Sequence, residues 1–372
     1  MNGLIFHTAE PEAKQDNYIE FNNVDFILNV GEGRSLQKNS VRVNGDIEIT
    51  TDGSTRSAGL VYLDYKIGVH GCVDSCQVSF GAGTSPGVKE NISNYARWAA
   101  MGAIGTLYED DYLNARQQVE LRAPNEKCAG KLATGEVTLG TTPVTDDLDF
   151  SFKPNCILNK MSGDHLPFEK SGEIRLTLNL ARNMSALMGA NQGTGATYKL
   201  KKLHCQYNSV PTQGKPMSTA TSMASVYNVK NTILSNTANL SVQVPATCSA
   251  VSCSFQRQDR ENVNVFNNYA AETVQDIRQV QFLFNDSTNK YVSYEINDLD
   301  EMVHRYLDSF GSTGHQQMML DKFRSNDGFG IGLSFNGLVD LSRQRFGIQL
   351  TSNIDNARPY NIYSYFHSAV VV

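Results

Sequence analysis

Charge is scarce in this sequence. Asp, Glu, Lys and Arg make up only 19% of its 372 residues, and 32 basic against 38 acidic groups leave a net charge of -6. No Lys/Arg run stands near either end, so the cationic arm that binds nucleic acid by releasing its counterions is missing. Long apolar runs are absent too: no stretch approaches the ~20 apolar residues of a membrane-spanning helix. The opening MNGLIFHTAEPEAK has no basic head and apolar core, so no secretory signal is expected. Catalytic signatures are missing. GLSFNG at Gly332–Gly337 lacks the spacing of a nucleophile elbow and sets Ser334 inside an expected strand. The glycine-rich stretches Gly81–Gly87 and Gly189–Gly195 lack the order of a phosphate-binding loop and read as turns or surface loops. Seven cysteines, an odd number without a disulfide framework, read as reduced thiols of a cytosolic or nuclear protein. The sequons at Asn91, Asn183, Asn239 and Asn285 would matter only in a secreted chain.

What the chain does have is alternation. In EIRLTLNL, Glu173–Leu180, the residues Ile174, Leu176, Leu178 and Leu180 fall on one side and Arg175, Thr177 and Asn179 on the other, the period of a half-buried strand. Further strands are expected at Tyr18–Asn29, Ser57–Lys66, His70–Phe80 and Tyr198–Val210. A second set is expected at Ser225–Leu234, Ala238–Val244, Cys248–Gln256, Asp276–Phe284, Lys290–Ile296, Phe329–Phe335, Arg345–Ser352 and Tyr360–Val372. In VRVNGDIEIT, Val41–Thr50, Asn44-Gly45 between two apolar runs signals a hairpin. A three-residue loop there would bury Val41, Val43, Ile47 and Ile49 on one face.

Helices are expected at Ser93–Ile104, with a continuation over Glu109–Leu121, and again at Asp298–Phe310 and His315–Phe323. Asp298 is the N-cap, with Glu301 three residues on. Between the two strand sets, VPTQGKPMSTATSMASV has the small, polar composition of a linker. The reading is therefore an all-β chain with short helical insertions. It comprises an N-terminal segment, 1–17, a first sandwich, 18–211, a linker, 212–224, and a second sandwich, 225–372. Each holds about eight strands and repeats one order of strands, helical insertion and closing strand.

Candidate ligands are few. Cys72 and Cys76 stand four apart on an expected strand, about 13 Å from each other, which excludes a mutual disulfide. Cys248 and Cys253 fall on opposite faces by parity. His204 beside Cys205, and His70 near Cys72, raise zinc; the reading taken is that these thiols are small buried hydrophobes. Glu109-Asp110-Asp111, and Asp146-Asp147 with Asp149, offer oxygen ligands for Ca²⁺, against the commoner role of solvated carboxylates. No catalytic, cofactor-binding or metal residue is assigned, and no cofactor is expected. In the last strand, Tyr360, Ile362 and Phe366 face one way and Tyr363, Tyr365 and His367 the other. One face fills the sandwich, and the other is expected to meet the neighbouring sandwich or another subunit. His367 reads as a packing residue, with a pH sensor at an interface as its other role. Trp98 reads as an anchor between helix and sandwich.

The pattern carried by Val41–Ile49, NYARWAAMG at Asn94–Gly102, EIRLTLNLARNMSALMG with YKLKKLHCQYNSV, and FGIGLSFNGLVDLSRQRFGIQLTSN with PYNIYSYFHSAVVV resembles the double jelly-roll major capsid proteins of tailless icosahedral double-stranded DNA viruses. The ending is most similar to the capsid proteins of Polinton-like viruses and virophages. That resemblance implies two tandem eight-stranded jelly-roll β-sandwiches, a homotrimer of pseudo-hexagonal outline and a shell tiled by such trimers. It implies a virion location after assembly in the host cytoplasm or nucleus, no enzymatic activity and no sequence-specific nucleic-acid binding. The implied partners are the chain itself, neighbouring capsomers, and penton and minor capsid proteins, with an internal membrane left open. Two other readings stay open: a carbohydrate- or receptor-binding sandwich of the spike or lectin kind, and a penton or minor capsid protein.

Overall fold

The computed structural model describes residues 3–50, 60–64, 67–81, 83, 86–106, 119–121, 137–138, 145–161, 163, 165–189, 197–212, 222–244, 246–261, 274, 277–286, 289–310, 330–353 and 358–371. The first half contains β1 Ile5–Ala9, β2 Asn23–Leu28, β3 Arg34–Gln37, β4 Arg42–Thr50, β5 Leu60–Leu63, β6 Val73–Phe80, β7 Gly87–Ser93 and helix α1 Tyr95–Thr106. It continues with β8 Val137–Thr138, β9 Thr145–Phe152, β10 His165–Pro167, β11 Ile174–Leu180, β12 Leu187–Gly189 and β13 Thr197–Pro211. The second half contains β14 Ser222–Ile233, β15 Thr237–Val242, β16 Thr247–Arg257, β17 Gln279–Asp286 and β18 Asn289–Ile296. Helix α2 Leu299–Ser309 follows, then β19 Gly330–Asp340, β20 Arg345–Thr351 and β21 Tyr360–Val371.

Two facing sheets form each half. In the first they run β1-β13-β4-β9 and β2-β11-β6-β7; in the second, β14-β21-β16-β19 and β15-β20-β17-β18. Every pairing is antiparallel. Counting the eight principal strands of each half from its start, both halves give the orders 1-8-3-6 and 2-7-4-5, the double Greek key of a jelly roll. The chain is thus two tandem jelly rolls, and each carries a helix between its fifth and sixth strands. Strands β3 and β10 extend the first sheet, and β12-β5-β8 make a small separate one.

Alternation fixes which side faces in. Ile174, Leu176, Leu178 and Leu180 of β11 are buried while Arg175 is exposed, and each buried aliphatic side chain contributes roughly 1.5–3 kcal/mol. Phe282, Phe346 and Phe366 close the second core; the rings of Phe346 and Phe366 meet edge to face at 5.2 Å.

Several expectations change. Val41–Thr50 is no hairpin: Arg42–Thr50 is one strand, paired along its length with β9. A continuous strand buries Val41, Val43, Ile47 and Ile49 on one face as well as an odd loop would. Gly45 serves the neighbouring strand instead. There β13 bulges between Lys201 and His204, with Lys202 at φ +50°, and a Cβ on Gly45 would stand 2.7 Å from the Lys201 carbonyl oxygen. Cys72 lies in a 3₁₀ turn, Gly68–Cys72, ahead of β6, so it does not share a strand with Cys76. A bulge between Cys248 and Ala250 shifts parity in β16 and brings Cys248 onto the Cys253 face, where both are buried.

Ile5–Ala9, in the segment set apart at the N-terminus, pairs with β13, and β14 already begins at Ser222. Asp298 caps α2, accepting from the Asp300 backbone N–H at 2.7 Å. The helices expected at Glu109–Leu121 and His315–Phe323 lie almost wholly or wholly outside the described residues.

Candidate functional site at the domain seam

Helix α1 has no solvent face over its first two turns. From Tyr95 to Met101 no residue is more than 4% exposed, Arg97 included. A helix buried on every side is clasped by two bodies, and here the second body is the other jelly roll. On the near side the Tyr95 hydroxyl shares a 2.8 Å hydrogen bond with His70 Nδ1 and accepts the Asn155 backbone N–H. On the far side Trp98 stacks on Tyr365 at 5.3 Å and meets the edge of His367 at 5.4 Å. The Arg97 guanidinium lies 4.4 Å from the ring centre of Tyr363 and donates to Gln256.

The turn into α1 is part of the joint. Asn94 adopts φ +52°, a left-handed conformation that asparagine tolerates better than most residues. Its carbonyl oxygen accepts the Tyr365 hydroxyl at 3.0 Å, and the neighbouring Ser93 N–H donates to Asn228 Oδ1 at 3.1 Å.

Glu90 is the buried acid of the seam. It sits on β7 at 4% exposure, on the inward parity it shares with Ile92. Its carboxylate accepts one backbone N–H from each domain, Ile157 at 2.7 Å and Val226 at 3.2 Å. Burial pushes the Glu90 carboxyl up to about 7, against the pull of Lys160 and these N–H groups. Lys160 has its Nζ 4.5 Å from the Trp98 ring centre, and burial holds its ammonium below the ordinary range.

His367 is neutral. Burial, with the nearby Lys160 charge, lowers its imidazole to about 3. A chain of hydrogen bonds fixes its tautomer: Ser309 Oγ donates to the Tyr306 carbonyl, so it accepts from Ser252 Oγ, which in turn accepts from His367 Nε2. The proton therefore sits on Nε2.

The outward face of the last strand, Tyr363, Tyr365 and His367, meets the neighbouring sandwich, one of the two partners the alternation left open. Trp98 anchors α1 to both sandwiches: its Nε1–H donates to the Asn155 carbonyl oxygen of its own domain at 3.3 Å, and its ring stacks on Tyr365 of the other. Glu90, Arg97 and Lys160 were missed, although the inward parity of Glu90 in GVKENIS was a legible signal. The other candidates do not converge. His204 faces outward, with Nδ1 on the Lys202 carbonyl, while Cys205 faces the core. Asp149 lies opposite Asp46, which is paired with Lys202. Glu109-Asp110-Asp111, Cys128 and the side chains of Asp146 and Asp147 lie outside the described residues. The six described cysteines are buried free thiols, and burial raises the pKa of Cys72, Cys205, Cys248 and Cys253.

No protein-family model matches this sequence, and no curated protein does. Solved structures do match in shape. The Faustovirus major capsid protein is 9% identical with a TM-score of 0.69, over 100% of this chain and 90% of that one. The PBCV-1 virus capsid is 10% identical with a TM-score of 0.61, over 100% and 95%. The mavirus major capsid protein is 10% identical with a TM-score of 0.54, over 99% and 90%. At such identities the likeness is one of fold, and it spans both jelly rolls together.

Proposed function

We propose that this chain is a viral major capsid protein, a structural, non-catalytic subunit that trimerises into a pseudo-hexameric unit and tiles an icosahedral shell. The observation that carries this reading is the strand order repeated twice in one chain and locked by an aromatic seam. Three copies of a two-domain wedge offer six similar units, which pack in a near-hexagonal lattice while cyclic symmetry makes each interface once per subunit. A rigid seam suits that task, because the angle between the two domains sets the outline of the tile. The full-length likeness to shell proteins supports the same reading. Neighbouring capsomers and penton and minor capsid proteins are the partners it entails, and the virion is its location.

Native mass spectrometry of the purified protein tests the reading. Three 41.0 kDa chains give a species of about 123 kDa. A monomer at micromolar concentration overturns the proposal, and a pentamer replaces it with a vertex protein.

A further inference from the structure

The first jelly roll is hollowed on the side turned away from its core. A cavity of about 550 Å³ opens there, lined by Phe6, Thr8, Arg42, Lys153, Gln206 and Asn208 among others. That volume falls in the range of small-molecule sites, roughly 300–1,000 Å³. Strand register builds it. Phe6 stands opposite Asn208, Thr8 opposite Gln206, and Gln206 opposite Arg42. One step beyond the Val43–Phe152 pair, Lys153 comes beside Arg42. All of these positions alternate with the buried Val43, Phe152, Cys205 and Tyr207.

The charges of this cavity do not cancel. The chain carries a net charge of -6, yet among the described residues the lining has two long cations and no carboxylate. Elsewhere on the same sheet the cations are paired: Lys199 and Lys201 with Glu48, and Lys202 with Asp46. Arg42 is half-buried and makes no side-chain hydrogen bond or ion pair with any described residue. The Lys153 ammonium donates to the Asn39 carbonyl oxygen at 2.7 Å, which places it on the rim. A guanidinium drawn partly out of water with its fork of donors unused is suited to a phosphate. The Gln206 carboxamide beside it is likewise uncommitted among the described residues.

Across the cavity from the cations stands a ring. Phe6 is 76% exposed. Its position and that of Arg42 are two strands and two residues apart, about 12 Å in a sheet of ordinary spacing. A plain anion would use the cations and leave the ring bare. A nucleoside phosphate uses both, because every base has a face that stacks on an aromatic ring. We propose that this cavity binds a nucleoside di- or triphosphate, its base on Phe6, its phosphates on Arg42 and Lys153, and the Gln206 carboxamide between them. A bounded cavity of this size suits one nucleotide rather than a strand. Among the described strands β1 pairs only with β13, so a ligand bridging Phe6 and Arg42 straps this edge strand to the middle of its sheet. Binding of this kind is independent of self-assembly.

The test is isothermal titration calorimetry of the purified protein with ATP, adenosine, tripolyphosphate and a short single-stranded oligodeoxythymidylate. Expected is one ATP per chain, bound more weakly as salt rises, with adenosine and tripolyphosphate each weaker by roughly tenfold or more. Arg42→Gln, Lys153→Gln and Phe6→Ala should each lower ATP affinity by roughly fivefold or more. Arg175→Gln, which removes an exposed cation from the other sheet, should leave it unchanged. Melting confirms that each variant is folded, and amide exchange over Ile5–Ala9 should slow when ATP is present. No binding at millimolar ATP overturns the proposal, as does an Arg42→Gln variant that binds like the unmodified chain. Tripolyphosphate as tight as ATP overturns the nucleoside assignment, and an oligonucleotide tighter than ATP overturns the single-nucleotide one. An equal loss in Arg175→Gln reduces the effect to general charge attraction and overturns the site.

Discussion

Glu90 and His367 titrate in opposite senses within one seam. Glu90 has a folded value of about 7 against an ordinary 4.5, so the stability it contributes is full below pH 4.5 and is lost as pH rises through about 7. His367 has a folded value of about 3 against 6.5, so the stability tied to its neutral form is full above pH 6.5 and is lost as pH falls toward 3. The two together leave a shallow optimum between about pH 4.5 and 6.5. Glu90→Gln cannot ionise, so its melting temperature should fall less than that of the unmodified protein between pH 5 and pH 8. Melts in matched buffers read this directly, and equal falls would refute the assignment; the ceiling is about 3 kcal/mol from the shift. Gly45→Ala is expected to cost about 1–3 kcal/mol in denaturant unfolding, because its Cβ meets the Lys201 carbonyl oxygen. An unchanged midpoint would mean that the β13 bulge gives way.

Among elements, α1 decides whether the halves unfold together. Trp98→Ala removes the stack on Tyr365 and should cost about 3–5 kcal/mol. Differential scanning calorimetry should then show two transitions where the unmodified chain shows one. A single transition at lower temperature would mean that the other seam contacts suffice. Helix α1 was legible as a helix, but its double burial was not drawn from YARWAAMG, although Arg97 is its only charged side chain. Strand β11 was legible to within one residue, because alternation is local. Strand β4 was misread, since Asn44-Gly45 looks the same whether the chain reverses or another strand bulges against it. The bulge lies some 155 residues away, at Lys201 to His204, beyond what local pattern can show. Glu90 eluded the reading for a similar reason. Its parity is local, but its partner Val226 belongs to the other domain.

At the scale of the molecule, each jelly roll begins and ends at the same place: β1 lies against β13, and β14 against β21. The alternating segments revealed that there are two such bodies, but not which sides of them meet. This closure governs synthesis as well as shape. Strand β1 has its partner at Cys205–Ser209, nearly 200 residues downstream. At about 5–20 residues per second, Leu4, Ile5 and Phe6 wait roughly 10–40 s after translation before their own sheet exists to receive them. For that interval a growing chain carries an apolar strand with nothing to pair with. On a polysome the nearest similar strands belong to neighbouring nascent chains, so spacing the ribosomes further apart on the message is expected to raise the yield of correctly closed protein.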